Sequence, residues 1–168
     1  MSVSHRILSI VFTLITFVGY AQQKISIEDP EFTVGMEIPE SWTSIDDGYV
    51  LKIFPGDTAA KEYMTFTYFA DAGKVTLDTA LFIETNFKLT KDFPGYKQLA
   101  IGDTKMNKHP GKWVNFMHGN KDRQKACFYI SLQNGQSVQF LLNASAKKFD
   151  TLLPAYQQVI KSFVMTEN

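Results

Sequence analysis

The sequence contains a single cysteine, Cys127, among its 168 residues. An intrachain disulfide is therefore impossible, and no cysteine near the N-terminus is available to carry a lipid. Because Cys127 lies in the apolar run 126–132, we expect a small buried thiol rather than an exposed reactive one. A domain without disulfides must be stabilised by its hydrophobic core alone. Its 45% hydrophobic and 14% aromatic content is sufficient for such a core.

An excess of either charge is also missing. The chain has 17 basic and 17 acidic side chains and a formal net charge of zero. This neutrality argues against nucleic-acid binding, even though Lys121, Arg123 and Lys125 cluster near two aromatic residues. Residues 97–148 nevertheless hold nine basic and two acidic side chains. The alternatives are a basic face on the folded protein and ordinary solvated surfaces.

Long hydrophobic runs are absent except at the N-terminus. A basic pair precedes an apolar run over residues 7–18, and Gly19 and Ala21 place small residues at the −3 and −1 positions of a cleavage site. The run is shorter than the ~20 residues that span a bilayer as a helix. We therefore predict a signal peptide over 1–21 and an exported domain over 22–168, periplasmic or secreted, with no stable membrane insertion. An uncleaved anchor is the alternative.

Few residues could form a catalytic or metal site. After His5, the histidines are His109, in a predicted turn, and His118, at a predicted strand end, and we expect both to be exposed to solvent. There is no Gly-x-Ser-x-Gly elbow and no glycine-rich phosphate-binding loop. We expect no enzymatic activity, no cofactor and no bound metal. One alternative is an adventitious surface zinc site that adds Asp103 or Asp122 to these histidines. Another is a metal-dependent hydrolase that uses His109 or His118.

The first part of the exported chain predicts two strands joined through a tryptophan. Alternating apolar residues over 32–38 indicate a strand with one buried face. Pro39 has no N–H for a ladder hydrogen bond, so the chain should leave the sheet there. We expect Trp42 to cap the core. The Asp-Asp-Gly sequence at 46–48 should then turn the chain into a strand over 49–54.

The next part predicts a strand, a helix and another strand. Residues 63–70 carry aromatic side chains on both faces, which predicts a strand inside the sheet, either covered on both sides or with one face partly open. Thr76 is a good N-cap for a central helix over 77–90. Its apolar residues are predicted to pack on the sheet: Leu77, Ala80, Leu81, Ile83 and Phe87. Lysines and Gly102 within 96–105 indicate an edge strand.

The last part predicts a three-stranded meander and a helix. After a turn over 107–111, the strands are 112–118, 124–132 and 136–144. Asn134-Gly135 is a strong hairpin signal, so the meander should be antiparallel. Residues 152–163 show a helical apolar stripe, with Pro154 expected in the first turn. The complete order predicts one α+β domain without a repeat or linker.

Four local motifs accompany this order. They are Ile-Pro-x-x-Trp at 38–42, Ile-Gly-Asp at 101–103, Lys-x-x-Gly at 108–111 and Ile-Lys-Ser-Phe at 160–163. With the order of elements they make residues 25–165 resemble the Mog1/PsbP-like domains, including bacterial PsbP-related exported proteins. The resemblance implies an antiparallel sheet flanked by a central helix and a C-terminal helix. It also implies a binding or assembly role without shared catalytic residues, so no family site residue is transferred.

We therefore expect an exported, non-enzymatic binding or assembly-accessory module of the cell envelope that contacts an unidentified protein partner. Exposed aromatic residues beside basic ones suit protein partners, so the predicted partner surface is Trp113, His118, Lys121 and Arg123. One alternative is a small apolar ligand held between the central helix and the strand over 63–70. The other is the metal-dependent hydrolase described above.

Overall fold

A computed structural model describes residues 22–48, 50–69, 75–133 and 135–168. The predicted signal peptide over 1–21 and Asn134 of the predicted hairpin lie outside the described residues. The strands are β1 (Gln22–Glu28), β2 (Phe32–Pro39), β3 (Thr43–Asp46), β4 (Leu51–Phe54), β5 (Tyr63–Phe69), β6 (Lys97–Met106), β7 (His109–His118), β8 (Gln124–Gln133), β9 (Gln136–Ser145) and β10 (Val164–Glu167).

The helices are a central helix over residues 77–92 and a C-terminal helix. The central helix consists of α1 (Leu77–Ile83), a π-helical turn (Glu84–Lys88) and α2 (Leu89–Asp92). The C-terminal helix is α3 (Phe149–Ser162). Within the described ranges, no helix is both long enough and apolar enough to cross a membrane.

The strands form two antiparallel sheets. The large sheet has the order β3-β4-β5-β9-β8-β7-β6, and the small sheet has the order β1-β2-β10. All the pairings are antiparallel. The α+β prediction is therefore confirmed, as are the antiparallel meander, the interior position of β5 and the edge position of β6. The strand predicted over 32–38 belongs to the separate small sheet.

The helices lie on opposite faces of the large sheet. Side chains alternate along each strand, so Tyr129 and Phe140 point to the face covered by α3 and the small sheet, whereas Val114 and Phe128 point to the central helix. The first face holds the main core, where the rings of Phe66, Phe140 and Phe163 contact one another. The second face holds a smaller core that contains Leu81 and Leu89 of the central helix.

The chain passes from the small sheet to the large one through a turn at Pro39. The Trp42 N–H donates to the Pro39 carbonyl over 2.9 Å, which closes the turn. The Trp42 side chain is only 6% exposed, and its ring packs edge-to-face on Tyr156 of α3 with centroids 5.3 Å apart. The burial predicted for Trp42 is confirmed. The predicted Asp-Asp-Gly turn is also confirmed: Gly48 has φ +84°, and its N–H donates to Asp46 Oδ1 over 2.8 Å.

The sequence did not predict three of the strands, β1, β3 and β10. All four residues of β3 are exposed, and β1 and β10 are largely exposed. Each lies at the edge of its sheet and is paired on one side. Backbone hydrogen bonds to an apolar neighbour stabilise such strands, so their own sequences need no strong alternation.

Two predicted boundaries are wrong. Asn107 and Lys108 have φ of 46° and 68°, as a two-residue type I′ turn requires, so β7 begins at His109 and not at residue 112. Helix α3 begins at Phe149, which is buried and anchors an additional turn. Pro154 therefore lies in the second turn of α3 and not in the first.

Candidate functional site

The predicted partner surface is divided between the two faces of the large sheet. Trp113 and His118 are five residues apart on β7, so their side chains project to opposite faces. Trp113 lies on the α3 face, opposite Tyr129 in the strand register. Lys121 and Arg123 are exposed near the β7–β8 connection, and Arg123 and His118 line a shallow recess of about 240 Å³. The structure therefore brings His118 and Arg123 together but separates them from Trp113.

His118 is part of a polar network that joins several strands. Its Nε2 lies 2.7 Å from Asn143 Oδ1, and its ring packs on Phe93 with centroids 4.8 Å apart. Asn143 is buried, and its Nδ2 donates to the Lys61 carbonyl over 2.9 Å and to Gln124 Oε1. The expectation of a solvent-exposed His118 is therefore wrong, because this side chain is half-buried and stabilises the end of the sheet.

The two histidines cannot bind the same metal ion. His109 begins β7 and His118 ends it. Nine strand residues separate them by about 30 Å, whereas both ligands of one ion lie within a few ångströms of it. Among the residues that the structure describes, no group of three or more histidine, cysteine or carboxylate side chains could hold a metal ion. The positions of the described residues therefore do not support the alternative of a metal-dependent hydrolase.

The cysteine lies in the core, as predicted. Cys127 is buried on β8, and burial raises the pKa of its thiol from 9.0 to about 12. A thiol with such a pKa stays protonated near neutral pH and is a poor nucleophile. Cys127 therefore serves packing in this fold.

The central helix turns a different face to the sheet than its sequence predicted. Thr76 caps it as expected, with its Oγ1 accepting the Thr79 N–H over 3.2 Å. Leu81 is buried, but Phe87 is 62% exposed and Ile83 is exposed as well. The residues that replace them against the sheet are Glu84, Thr85 and Leu89. The second core fills the space between this helix and strands β7 and β8. The small-ligand space was expected between the helix and β5, which contributes no residue to that core, so it stays a prediction.

The π-helical turn brings two exposed phenylalanines together. The Leu89 N–H donates to the carbonyl of Glu84, five residues earlier, whereas in an α-helix it would donate to the carbonyl four residues earlier. In an α-helix, residues five apart differ by about 140° around the axis and do not meet. Across the wider turn, the rings of Phe82 and Phe87 lie edge-to-face with centroids 6.1 Å apart, although Phe82 is 58% exposed.

Side chains within the helix support the π-helical turn. Thr85 Oγ1 donates to the Leu81 carbonyl, and Asn86 Nδ2 donates to the Phe82 carbonyl, both over 2.9 Å. Threonine and asparagine often compete in this way for backbone groups, and the pair at 85–86 is the sequence signal that could have indicated the irregular turn. Because π-helical turns are frequent at functional sites, this position is a candidate site.

An ion pair between a buried carboxylate and a half-exposed lysine connects the turn to the sheet. Glu84 is only 7% exposed, and its Oε1 accepts from Lys88 Nζ over 2.6 Å and from Gln139 Nε2 of β9 over 3.1 Å. Lys88 Nζ also lies 5.5 Å from the ring centroid of Phe69, the last residue of β5, which is 49% exposed. The network therefore connects the central helix to Phe69. We call Phe69, Phe82 and Phe87 the aromatic patch.

The chain resembles known proteins in its structure but matches none of them by sequence. No protein-family model matches the chain, and no curated protein matches it by sequence. LpqN, involved in cell envelope biogenesis of Mycobacterium tuberculosis, superposes with a TM-score of 0.64 at 13% identity, over 86% of this chain and 91% of LpqN.

Two further structures are similar. Cyanobacterial PsbP from Synechocystis sp. PCC 6803 superposes with a TM-score of 0.61 at 15% identity, over 88% of this chain and 95% of PsbP. A protein of unknown function from Pseudomonas aeruginosa, described as a putative regulator, gives a TM-score of 0.54 at 16% identity, over 77% of this chain and 90% of that one. At these identities the likenesses establish the fold alone.

Proposed function

Because this chain has the Mog1/PsbP-like fold, as its sequence motifs predicted, we propose that it is an exported, non-enzymatic accessory module of the cell envelope that acts through protein–protein contacts. The observation that carries the proposal is the aromatic patch. Three phenylalanines, each about half exposed or more, lie on the side of the large sheet that carries the central helix. Large exposed aromatic side chains that the fold does not bury are typical of partner surfaces.

The helical backbone that carries Phe82 and Phe87 is held against the sheet. The pair formed by Glu84 and Lys88 holds the π-helical turn against β9 and places a cation beside Phe69. A preformed surface loses less conformational entropy on binding than a mobile one. The exposed Lys88 lies beside Phe69, and its charge is balanced by Glu84. The partner that fits the patch therefore presents an apolar pocket for the phenylalanine rings.

The surface proposed here replaces the one expected from the sequence. Trp113 projects to the opposite face of the sheet from His118, and His118 is engaged with Asn143. The predicted signal peptide supports an envelope location, and the described role of LpqN in cell envelope biogenesis agrees with it. These considerations favour a periplasmic or secreted accessory protein over an enzyme.

Site-specific photo-crosslinking in the source cell tests the proposal. A benzophenone amino acid is placed at Phe82 or Phe87 in the full chain, and at Ile101 of β6 as a control with similar exposure, 52% against 58% and 62%. We expect one discrete protein adduct from the two patch positions and none from residue 101. Adducts of equal yield from all three positions, or none from the patch, contradict the proposal.

A second experiment distinguishes a protein partner from a lipid surface. The free energies of unfolding of Phe82→Ser and Phe87→Ser should lie within about 0.5 kcal/mol of the wild-type value, because both rings are more than half exposed. Each serine variant should abolish the adduct formed by the photo-crosslinker at the other patch position, whereas Ile101→Ser should leave that adduct unchanged. If the wild type sediments with anionic phospholipid vesicles and Phe87→Ser does not, the patch is a membrane contact and the protein-partner proposal is wrong.

A further inference from the structure

The small sheet has one long, regular edge. The edge strands of the two sheets are β1, β3, β6 and β10. Strands β3 and β10 have only four residues each, and the register of β6 shifts between Gln98 and Ala100. Short edges and bulges discourage pairing with another chain. Strand β1 has seven residues, contains no proline and pairs with β2 without a shift, and no strand in the described ranges occupies its other side.

Alternate residues of β1 direct their backbone groups out of this edge. Glu37 of β2 lies opposite Lys24, but its N–H donates to Ser162 Oγ over 2.9 Å and its carbonyl accepts from the same hydroxyl over 3.2 Å. Both backbone groups of Glu37 therefore point away from β1. In an antiparallel ladder, opposite residues either bond to each other or both point outward. Lys24, Ser26 and Glu28 thus present their N–H and carbonyl groups at the open edge.

The side chains of β1 alternate between two surfaces. Ile25 and Ile27 are half-buried and pack against the main core. Lys24, Ser26 and Glu28 are exposed on the outer surface of the small sheet. Neither Lys24 nor Glu28 forms an ion pair with a residue that the structure describes. A strand that pairs with β1 therefore meets apolar side chains on one surface and charges of both signs on the other.

Strand β1 is complementary to itself in one antiparallel register, which has a twofold axis at Ser26. Ile25 then lies opposite Ile27 of the second copy on the inner surface. Lys24 lies opposite Glu28 of the second copy on the outer surface. The symmetry repeats both contacts, so the interface contains two apolar pairs and two pairs of opposite charge. The residues that face each other across the axis also direct their backbone groups toward each other.

Other registers lose these contacts. An axis at Ile25 places Lys24 opposite Ser26 of the second copy and separates the opposite charges. An axis at Ile27 places Lys24 opposite Pro30, which has no N–H to donate. An axis between two residues sets outward backbone groups against inward ones, so the ladder cannot form.

We propose that two copies of this chain pair through β1, with the twofold axis at Ser26, so that their three-stranded sheets form one continuous antiparallel sheet. A contact between two seven-residue strands is small beside the about 1,600 Å² of a standard interface, so the dimer is weak and reversible. The aromatic patch lies on the opposite face of the large sheet from the small sheet and stays open in the dimer. Either proposal can therefore fail without the other.

Disulfide trapping in intact source cells tests the dimer in the full chain. In the proposed register the two Ser26 Cα atoms lie about 5.5 Å apart, within the range of a disulfide. The native Cys127 is buried and does not interfere. With a membrane-permeant oxidant, we expect Ser26→Cys to give a disulfide-linked species with twice the mass of the chain. The control Thr166→Cys, exposed on the opposite edge strand β10, should give much less.

Equal yields from the two cysteine positions, or no dimer from Ser26→Cys, overturn the proposal. A disulfide-linked species that contains a different protein would show that another chain occupies the edge, and it also overturns the proposal.

Charge reversal tests the register. Lys24→Glu and Glu28→Lys each set like charges opposite each other twice in the dimer and should lower the trapping at residue 26 about tenfold. The double variant Lys24→Glu/Glu28→Lys restores opposite charges and should restore the yield, as should co-expression of the two single variants. The control Glu167→Lys, on β10, should leave the yield unchanged. All these side chains are exposed, so the variants should fold. A double variant that traps as poorly as the single variants refutes the proposed register.

Discussion

Replacement of Trp42 by alanine should remove much of the stability of this domain. The indole is 6% exposed and packs edge-to-face on Tyr156 at the turn where the chain passes between the two sheets. Alanine would leave a cavity in the main core, next to helix α3. The ring beside it, Tyr156 of α3, is itself fully buried, so the surrounding core can close over the cavity only in part.

The magnitude follows from the buried surface. A buried indole removes about 200 Å² from water, which at about 25 cal/mol per Å² corresponds to about 5 kcal/mol. Residual compactness of the unfolded chain lowers this by roughly 10–40%. The ring contact with Tyr156 adds about 0.5–1.5 kcal/mol. These terms sum to about 3.5–6 kcal/mol. Because alanine keeps part of the buried area, we expect Trp42→Ala to lower the free energy of unfolding by about 3–5 kcal/mol, out of a typical total of about 5–15 kcal/mol.

Urea unfolding followed by far-ultraviolet circular dichroism measures this loss without relying on tryptophan fluorescence. The slope of the free energy against urea concentration should not change. Trp42→Phe keeps a ring against Tyr156 and should lose less than half as much. If Trp42→Ala loses less than about 1 kcal/mol at an unchanged slope, the indole does not support the core and the reasoning is wrong.

Two other predictions use the same assay. Gly102→Ala places a Cβ 2.7 Å from the Trp113 ring and should lower the free energy of unfolding by about 1–3 kcal/mol. The control Gly56→Ala, with no atom within 4 Å of the new Cβ, should lower it much less. Equal losses in the two variants would show that the Trp113 indole moves freely. Burial raises the pKa of the Cys127 thiol from 9.0 to about 12, so above pH 9 the unfolded chain loses a proton that the folded chain keeps. The stability that Cys127 contributes is complete below pH 9 and decreases between pH 9 and 12, and Cys127→Ala should flatten that part of the profile; parallel profiles of wild type and variant would contradict the assigned pKa.

Local chemistry explains which elements the sequence predicted. The alternation over 32–38, the missing N–H of Pro39, the Thr76 cap and the Asp-Asp-Gly turn at 46–48 each act within a few residues. All four appear in the structure where the sequence placed them. These signals, taken in order, were also sufficient for the α+β class.

The exposed face of the central helix could not be predicted in the same way. The sequence favoured burial of Phe87, yet the carboxylate of Glu84 is buried instead. Glu84 can be buried because Gln139, 55 residues away, donates a hydrogen bond to it. Only the tertiary structure brings these two residues together, and the π-helical turn then leaves Phe82 and Phe87 on the outside.

The candidate sites follow the same division. The sequence by itself determined most of the strands and turns, the single buried thiol and the supply of aromatic and basic residues. The tertiary structure decided which of these residues share a surface: it separated Trp113 from His118, placed Trp113 beside Tyr129, and set Phe69 next to the central helix. The physical reason is that strand alternation fixes which face a side chain occupies. The pairing of distant strands and the packing of the helices then fix its neighbours.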